Sequence, residues 1–203
     1  MSETIKAHLC KDAELKKIID NWNIPSLERS ENIALYLCLS IISQQLSTKV
    51  ARVISDRFLG LFQGTNPTCE LIQSKDTETL RSVGLSQAKA NYIHNVCGFF
   101  IEHQITDQTL QSMSDDEIIE LLTQIKGVGR WTVEMLLMFA LGRQDVFAAD
   151  DLGVQQAMIR AYKIPTESKK TLRIEMLRIS ARWSPFRTYA CMALWQWKDK
   201  KEV

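Results

Sequence analysis

Two neighbouring stretches hold the residues whose types and spacing can do chemistry. The first is IKGVGRWTVEML, Ile125 to Leu136, and the second is DVFAADD, Asp145 to Asp151. In the first, Gly127 and Gly129 sit one residue apart between two segments of helical periodicity. Glycines there permit positive φ and close approach to the backbone. The helix opening after them begins with amides that lack intrahelical partners, which suits a phosphate oxygen. Lys126 and Arg130 place cations at the same turn, and Val128 lies between the glycines. The alternative is a plain connector between two helices.

The second stretch ends in adjacent carboxylates, Asp150 and Asp151, at the start of a further helix. Aspartate there ordinarily caps, stabilising the helix by about 1 kcal/mol. One cap is enough, so the second carboxylate is available for other work. Ionised and facing a cleft, it can stabilise positive charge on a sugar or orient a water. Both roles stay open from these residues alone. Trp131 follows the glycine turn directly, and Trp183, Trp195 and Trp197 cluster near the C-terminus. Tryptophan faces pack in cores, and they also stack on bases and attract cationic rings. His8, His94 and His103 are scattered and form no metal-ligand or nucleophile pattern.

The elements that must hold these residues are helical. Glu31 to Ser43 is almost wholly apolar and suits a central helix buried on most sides. It runs into the polar patch SQQLSTK, Ser43 to Lys49, which is either a turn or a rigid mount for side chains at a groove. Helical spacing resumes over Val50 to Leu61, and short helices are expected at Asp12 to Trp22, Cys69 to Gln73 and Thr77 to Val83. VGLSQAKANYI, from Val83 to Ile93, repeats the helix–Gly–helix pattern more weakly, with Ile105 to Met113 as a connection. Ser114 and Glu117 have capping-box spacing, and Ile118, Leu121, Leu122 and Ile125 mark one helical face. Helices are also expected from the aspartate pair to Tyr162 and from Thr166 to Trp183, and a last one from Ser184-Pro185 with proline at its first position. No segment alternates with period two. The fold is expected to be all-α, about ten helices in two helical subdomains flanking a cleft.

Composition sets the outer limits. With 203 residues, 45% of them hydrophobic, the chain can bury a real core. Its net charge of +1 conceals an asymmetry: Arg160 to Val203 holds 11 Lys and Arg against 4 Asp and Glu. Such a segment can meet phosphates or merely solvate helix faces. The five cysteines are far apart and form no CxxC pair, which points to reduced thiols and away from structural zinc or a cysteine-ligated cluster. No apolar run has the length of a signal peptide or a membrane span, so a soluble intracellular protein is expected.

In this order the blocks KDAELKKIIDNW, SIISQQLSTKVA, GLSQAKANYI, IKGVGRWTVEMLLMFALGRQDVFAADDLGVQQ and RWSPFRTYACMALW resemble the helix-hairpin-helix DNA glycosylase superfamily. Within it they are similar to the alkylated-base branch, the 3-methyladenine DNA glycosylase II type. The resemblance covers nearly the whole chain. It implies a terminal subdomain of residues 1–31 plus 144–203 and a helical barrel of residues 32–143, with the hairpin at about 114–141 and no added β domain. Asp151 then matches the catalytic carboxylate and Asp150 the structural helix cap. Trp131 and Trp195 match aromatic positions of the base pocket, and Met135 stands where some relatives have a pocket tyrosine. Gln45 matches the side chain that plugs the gap left by an extruded base, a position often bulky or apolar elsewhere. Lys126, Gly127, Val128, Gly129 and Arg130 match the DNA-gripping hairpin, with Lys126 where proline is common.

Two departures are informative. Bifunctional relatives carry a lysine after the hairpin position of Arg130, and here Trp131 occupies it. The four-cysteine motif of another branch is absent as well. The resemblance therefore implies a monofunctional enzyme of base excision repair that flips and hydrolytically releases alkylated purines of the 3-methyladenine and 7-methylguanine type. The alternatives are a non-catalytic module for damaged DNA and a related glycosylase for another lesion. No cofactor is expected and no side-chain metal site, with the hairpin carbonyls as candidate ligands for a monovalent cation. The expected partner is double-stranded DNA containing alkylated bases, met by a monomer with no membrane association. The expected compartment is cytoplasmic at the nucleoid in a bacterium, nuclear in a eukaryote.

Overall fold

The computed structural model describes residues 2–20, 22–64 and 66–199. Among them every regular element is a helix, as expected of an all-α chain. In order these are α1 (Ser2–Leu9), α2 (Ala13–Ile19), α3 (Ile33–Ser43), α4 (Thr48–Gly60), α5 (Cys69–Gln73), α6 (Thr77–Ser82), α7 (Gln87–Glu102), α8 (Asp107–Ser112), α9 (Asp115–Leu122), α10 (Arg130–Phe139), α11 (Leu152–Tyr162), α12 (Lys169–Ser180) and α13 (Arg187–Asp199). A 3-10 turn, Ala181–Trp183, follows α12. The chain forms two compact units, residues 29–136 and residues 1–28 with 137–203.

The unit of residues 29–136 is built on α3. Its Ile33, Leu37, Cys38, Ile41 and Ile42 have no exposed surface, which is why the segment shows no polar face. It packs against α4 and α7, and α5 and α6 lie on α7. From α7, Ile93, Val96 and Cys97 complete the core, with the thiols of Cys38 and Cys97 3.9 Å apart. All five cysteines are free thiols. Helix starts in this unit are capped by short polar side chains, including Asn32, Ser47, Thr68, Asp76, Ser86 and Thr106. The Ser114–Glu117 capping box forms in both directions. Residues 107–112, expected as a connection, form α8 instead. Leu110 alone anchors it in the core, too few apolar positions to show a period.

In the other unit α11 packs against α13 and α2. Asp12 is a buried hub. Its carboxylate caps α2 through the amides of Glu14 and Leu15. It also accepts from the Tyr162 hydroxyl at 2.9 Å and the Trp183 indole at 3.2 Å, and pairs with Arg182 at 3.1 Å. Burial, with the Asp12 charge beside it, pushes the Tyr162 phenol far above its ordinary value. Residues 2–9 form α1, for which the sequence carried no expectation and which buries only Ile5 and Leu9. One expectation is corrected here. Pro185 follows Ser184 through a cis bond and precedes α13, which starts at Arg187, so it is not the first helical residue.

α13 also fixes the loop leading to α11. Asp145 accepts from Arg187 Nε at 2.7 Å and Nη2 at 2.9 Å, and from the Ser184 hydroxyl at 2.8 Å. Burial tends to raise the Asp145 carboxyl, but the bonds from Arg187 and Ser184 outweigh it and hold it below the usual range. Thr188 donates its hydroxyl to the Arg143 carbonyl and accepts from Val146 N. The loop is therefore stapled to the first turn of α13, and about two turns further along that helix stands Trp195.

Candidate active site and nucleic-acid interface

At the tip of this arrangement Asp151 is the N-cap of α11. Its Oδ1 accepts from Val154 N at 2.8 Å and from the Trp195 indole Nε1 at 2.7 Å. Asp150, expected to be the cap, is not. It lies on the exposed side of the turn and forms an ion pair with Arg173 of α12. The physical reason is phase. α11 starts at Leu152, so only the residue just before it has a side chain that reaches the third amide. The cap is thus Asp151, the residue of the pair expected to be left available for other work.

Gly153 stands between the partners. A methyl group there would lie 2.9 Å from Trp195 Cδ1, 3.1 Å from Trp195 Nε1 and 3.0 Å from Asp151 Oδ1. Its backbone has no left-handed φ, so the glycine serves space rather than conformation. In a helix it costs about 0.5–1 kcal/mol relative to alanine. The Trp195 ring also neighbours Phe139, with centroids 6.0 Å apart and planes tilted by 34°.

The glycine turn lies in the unit of residues 29–136, between α9 and α10. Gly127 has φ +105, and an added methyl would fall 2.3 Å from Tyr92 Cγ. Asn95 of α7 donates to the Lys126 carbonyl at 3.1 Å, and Val128, buried, donates its amide to the Ile125 carbonyl at 3.0 Å. The turn is thus gripped from beneath by Tyr92 and Asn95. Gly129 differs: it needs no positive φ, and nothing lies within 4 Å of where its Cβ would be. The ladder of α10 opens with Val133 N to the Gly129 carbonyl at 3.2 Å. The amides ahead of it face out of the helix end, at the positive pole of its dipole. Lys126 and Arg130 are exposed there, and Arg130 is steadied by Glu134 at 3.0 Å. This arrangement can take a phosphate over Gly129.

Trp131 and Met135, four residues apart, share one face of α10. Trp131 is 44% exposed, whereas Met135 is buried at 9%, and its carbonyl accepts from the Tyr36 hydroxyl at 3.4 Å. Gln45, exposed, sits at φ +59 in the turn between α3 and α4. Non-glycine residues hold that conformation at a cost. Lys89 supports the turn by donating Nζ to the carbonyls of Ile42 at 2.8 Å and Gln44 at 2.7 Å. Burial lowers the Lys89 pKa. Leu46, Val50 and Val53 flank Gln45 with exposed apolar surface.

Sequence patterns did not identify Gly153, Tyr92, Asn95 or Arg173. Gly153 carried one signal, a poor helix former in the first turn of an otherwise sound helix. Among the described residues no group of three or more His, Cys, Asp or Glu is placed to hold a metal ion. No helix among them is long and apolar enough to cross a membrane.

Residues 38–182 match the family model described as the HhH-GPD superfamily base excision DNA repair protein. The chain is 37% identical over 185 residues to DNA-3-methyladenine glycosylase 1 of Schizosaccharomyces pombe, covering 90% of this chain and 79% of that protein. It is 32% identical over 171 residues to a putative DNA-3-methyladenine glycosylase of Bacillus subtilis, covering 80% and 58%. Among solved structures, the Schizosaccharomyces pombe 3-methyladenine DNA glycosylase in complex with abasic DNA superposes with a TM-score of 0.80 at 34% identity, over 95% of each chain. A DNA-3-methyladenine glycosidase from Bacillus halodurans does so with a TM-score of 0.82 at 33% identity, over 97% of this chain and 89% of that one. With this match over most of its length and a hairpin gripped from beneath and open in front, the chain belongs to the helix-hairpin-helix (HhH-GPD) superfamily of base excision DNA repair proteins.

Proposed function

We propose that the protein is a monofunctional DNA glycosylase that extrudes and hydrolytically releases alkylated purines of the 3-methyladenine and 7-methylguanine type from double-stranded DNA. The observation that carries this reading is the Asp151 carboxylate, anchored through Oδ1 by Val154 N and the Trp195 indole; the resemblance gives Asp151 the role of the family's catalytic carboxylate.

As the bond between C1′ and the base nitrogen breaks, its electron pair leaves with the base and positive charge grows on the deoxyribose. The fixed Asp151 carboxylate stabilises that charge and orients the water whose oxygen then bonds to C1′, taking up the proton the water gives off. A ring-methylated purine is already cationic, departs neutral and needs no general acid. Tryptophan faces also attract a cationic ring; the resemblance gives that role to Trp131, with Met135 beside it on the same helix face, and matches Trp195 to a second aromatic position of this kind. The hairpin from Lys126 to Arg130 holds the backbone phosphate, and Gln45 fills the gap left in the stack. Anchor and plug offset the few kcal/mol, roughly, that extrusion costs. With tryptophan rather than lysine at position 131, no Schiff base forms there and the strand stays uncut.

No cofactor takes part in this scheme. A monovalent cation at the hairpin would use backbone carbonyls. Those of Ile125 and Lys126 already accept one hydrogen bond each and keep a second lone pair. The protein acts as a monomer, at the bacterial nucleoid or in a eukaryotic nucleus.

The test is release of free base from duplexes that each carry one lesion, alkylated, oxidised or mismatched. Asp151→Asn is expected to slow release of 3-methyladenine by at least about a hundredfold with DNA affinity retained. Parental rates in that variant would remove Asp151 from the chemistry. Binding without release on every duplex would make the protein a non-catalytic reader of damage.

A further inference from the structure

We infer that Trp195 and Gly153 form a positioning device for Asp151, with the indole N–H setting the carboxylate's orientation and the missing side chain at 153 making room for it. The inference rests on the proposed role of Asp151.

The geometry is local to α11, α13 and the turn before α11. Asp151 Oδ1 receives two donors, the cap amide of Val154 at 2.8 Å and Trp195 Nε1 at 2.7 Å. Both donors fall on one oxygen and arrive from different helices, so together they fix where that oxygen lies and the direction from which each N–H approaches it. The Trp195 edge can reach that oxygen only across Gly153, where a methyl would come within 2.9 Å of the ring and 3.0 Å of the oxygen itself. The contact is with the five-membered ring and a carboxylate held by its own cap, neither of which is a flexible chain end. α13 cannot back away easily either. Its first turn is tied to the loop before α11 through Arg187–Asp145 and Thr188. The indole, its seat and the loop carrying Asp151 therefore form one rigid triangle. Trp195 acts through Asp151 as a positioning residue, in addition to any face it offers a base. Gly153 is the position that permits this.

Two variants test it. Trp195→Phe keeps an aromatic ring and removes the N–H. Gly153→Ala keeps the indole and displaces it. Each is expected to lower the single-turnover rate of 3-methyladenine release about tenfold or more, the effect of losing one hydrogen bond to a charged group, with the dissociation constant for undamaged duplex unchanged. Because both act on one contact, the double variant is expected to lose far less than the product of the two single losses. The Trp195 indole 1H–15N resonance, assigned by its disappearance in Trp195→Phe, is expected to move in Gly153→Ala. Thermal unfolding of each variant checks that the fold is intact, and if one unfolds, the release rate of the other still decides.

If Asp151→Asn is inactive while Trp195→Phe and Gly153→Ala release base at the parental rate, the positioning inference falls and the proposed function stands. If Asp151→Asn releases base normally, the proposed function falls first, whatever the other two do. A Trp195→Phe loss that appears wholly as weaker DNA binding also overturns the inference, because the ring would then be a DNA contact alone.

Discussion

Replacing Gly127 by alanine adds a single methyl group at the point where the hairpin rests on α7. Two costs follow from the geometry. With φ at +105, any L side chain is strained, at about 1–2 kcal/mol. The methyl would also lie 2.3 Å from Tyr92 Cγ and 2.7 Å from Tyr92 Cβ and Cδ1. The ring borders a cavity of about 370 Å³ shared with Ala88, Asn91, His94, Asn95 and Lys126, so it has somewhere to turn. Turning it does not help with Cβ, which is fixed to the α7 backbone. Relief therefore requires the hairpin to lift, an overpacking cost of about 1–3 kcal/mol. The expected destabilisation is about 2–5 kcal/mol, read from urea unfolding. A lifted hairpin also loses the Asn95 bond to Lys126 O and misplaces the amides after Gly129, so affinity for undamaged duplex is expected to fall about tenfold or more. On a Tyr92→Ala background Cγ and Cδ1 are gone while Cβ and the strained φ remain. The same glycine substitution is then expected to cost about 1 kcal/mol less. Stability within about 0.5 kcal/mol of the parent, with unchanged DNA binding, would refute the view that Gly127 is fixed by its seat on α7.

The remaining predictions concern the other unusual backbone position and a half-buried histidine. Gln45→Gly removes a strained left-handed side chain, so stability is expected to hold or rise by up to about 1 kcal/mol, while release from a fully paired duplex drops more than release from a single strand. A fall in stability with unchanged duplex activity would refute the wedge role. Burial lowers the His94 pKa, with the Asp76 charge opposing in part. Below about pH 6.5 the unfolded chain takes up a proton before the folded one, so stability drops as pH falls through that range and the loss levels off below the folded value. In Gln at position 94 this step is absent. Urea midpoints of the two proteins compared from about pH 7.5 to pH 5 check it, and a pH-independent difference would contradict it.

How much of this could be read from residues alone depended on the distance between interacting partners. The Ser114–Glu117 box, the buried run of α3 and the bounds of α5 follow from neighbours three or four positions apart, and they appeared where the pattern put them. α1 and α8 went unrecognised, the first burying only Ile5 and Leu9 and the second only Leu110 in otherwise mostly polar sequence. The aspartate pair was legible as a pair but not in its assignment. What separates Asp151 from Asp150 is a donor 44 residues away, Trp195, and a cation 23 residues from Asp150, Arg173. Nothing local encodes either. Gln45 gave its position but not its left-handed backbone, which Lys89 stabilises from α7 across 45 residues at the Gln44 carbonyl.

Capping and catalysis looked like competing uses for a carboxylate, with two aspartates needed to serve both. Here the cap amide and the Trp195 indole share one oxygen of Asp151, and Asp150 is drawn off to Arg173. A catalytic carboxylate needs a fixed orientation more than it needs freedom from the helix, and the N-cap is a place where the backbone itself supplies one of the fixing bonds. Under the proposed function, then, the cap is the first half of the positioning device and the indole the second. That explains why a glycine, a poor helix former, is placed within the first turn: the stability it costs α11 is what lets the second bond form.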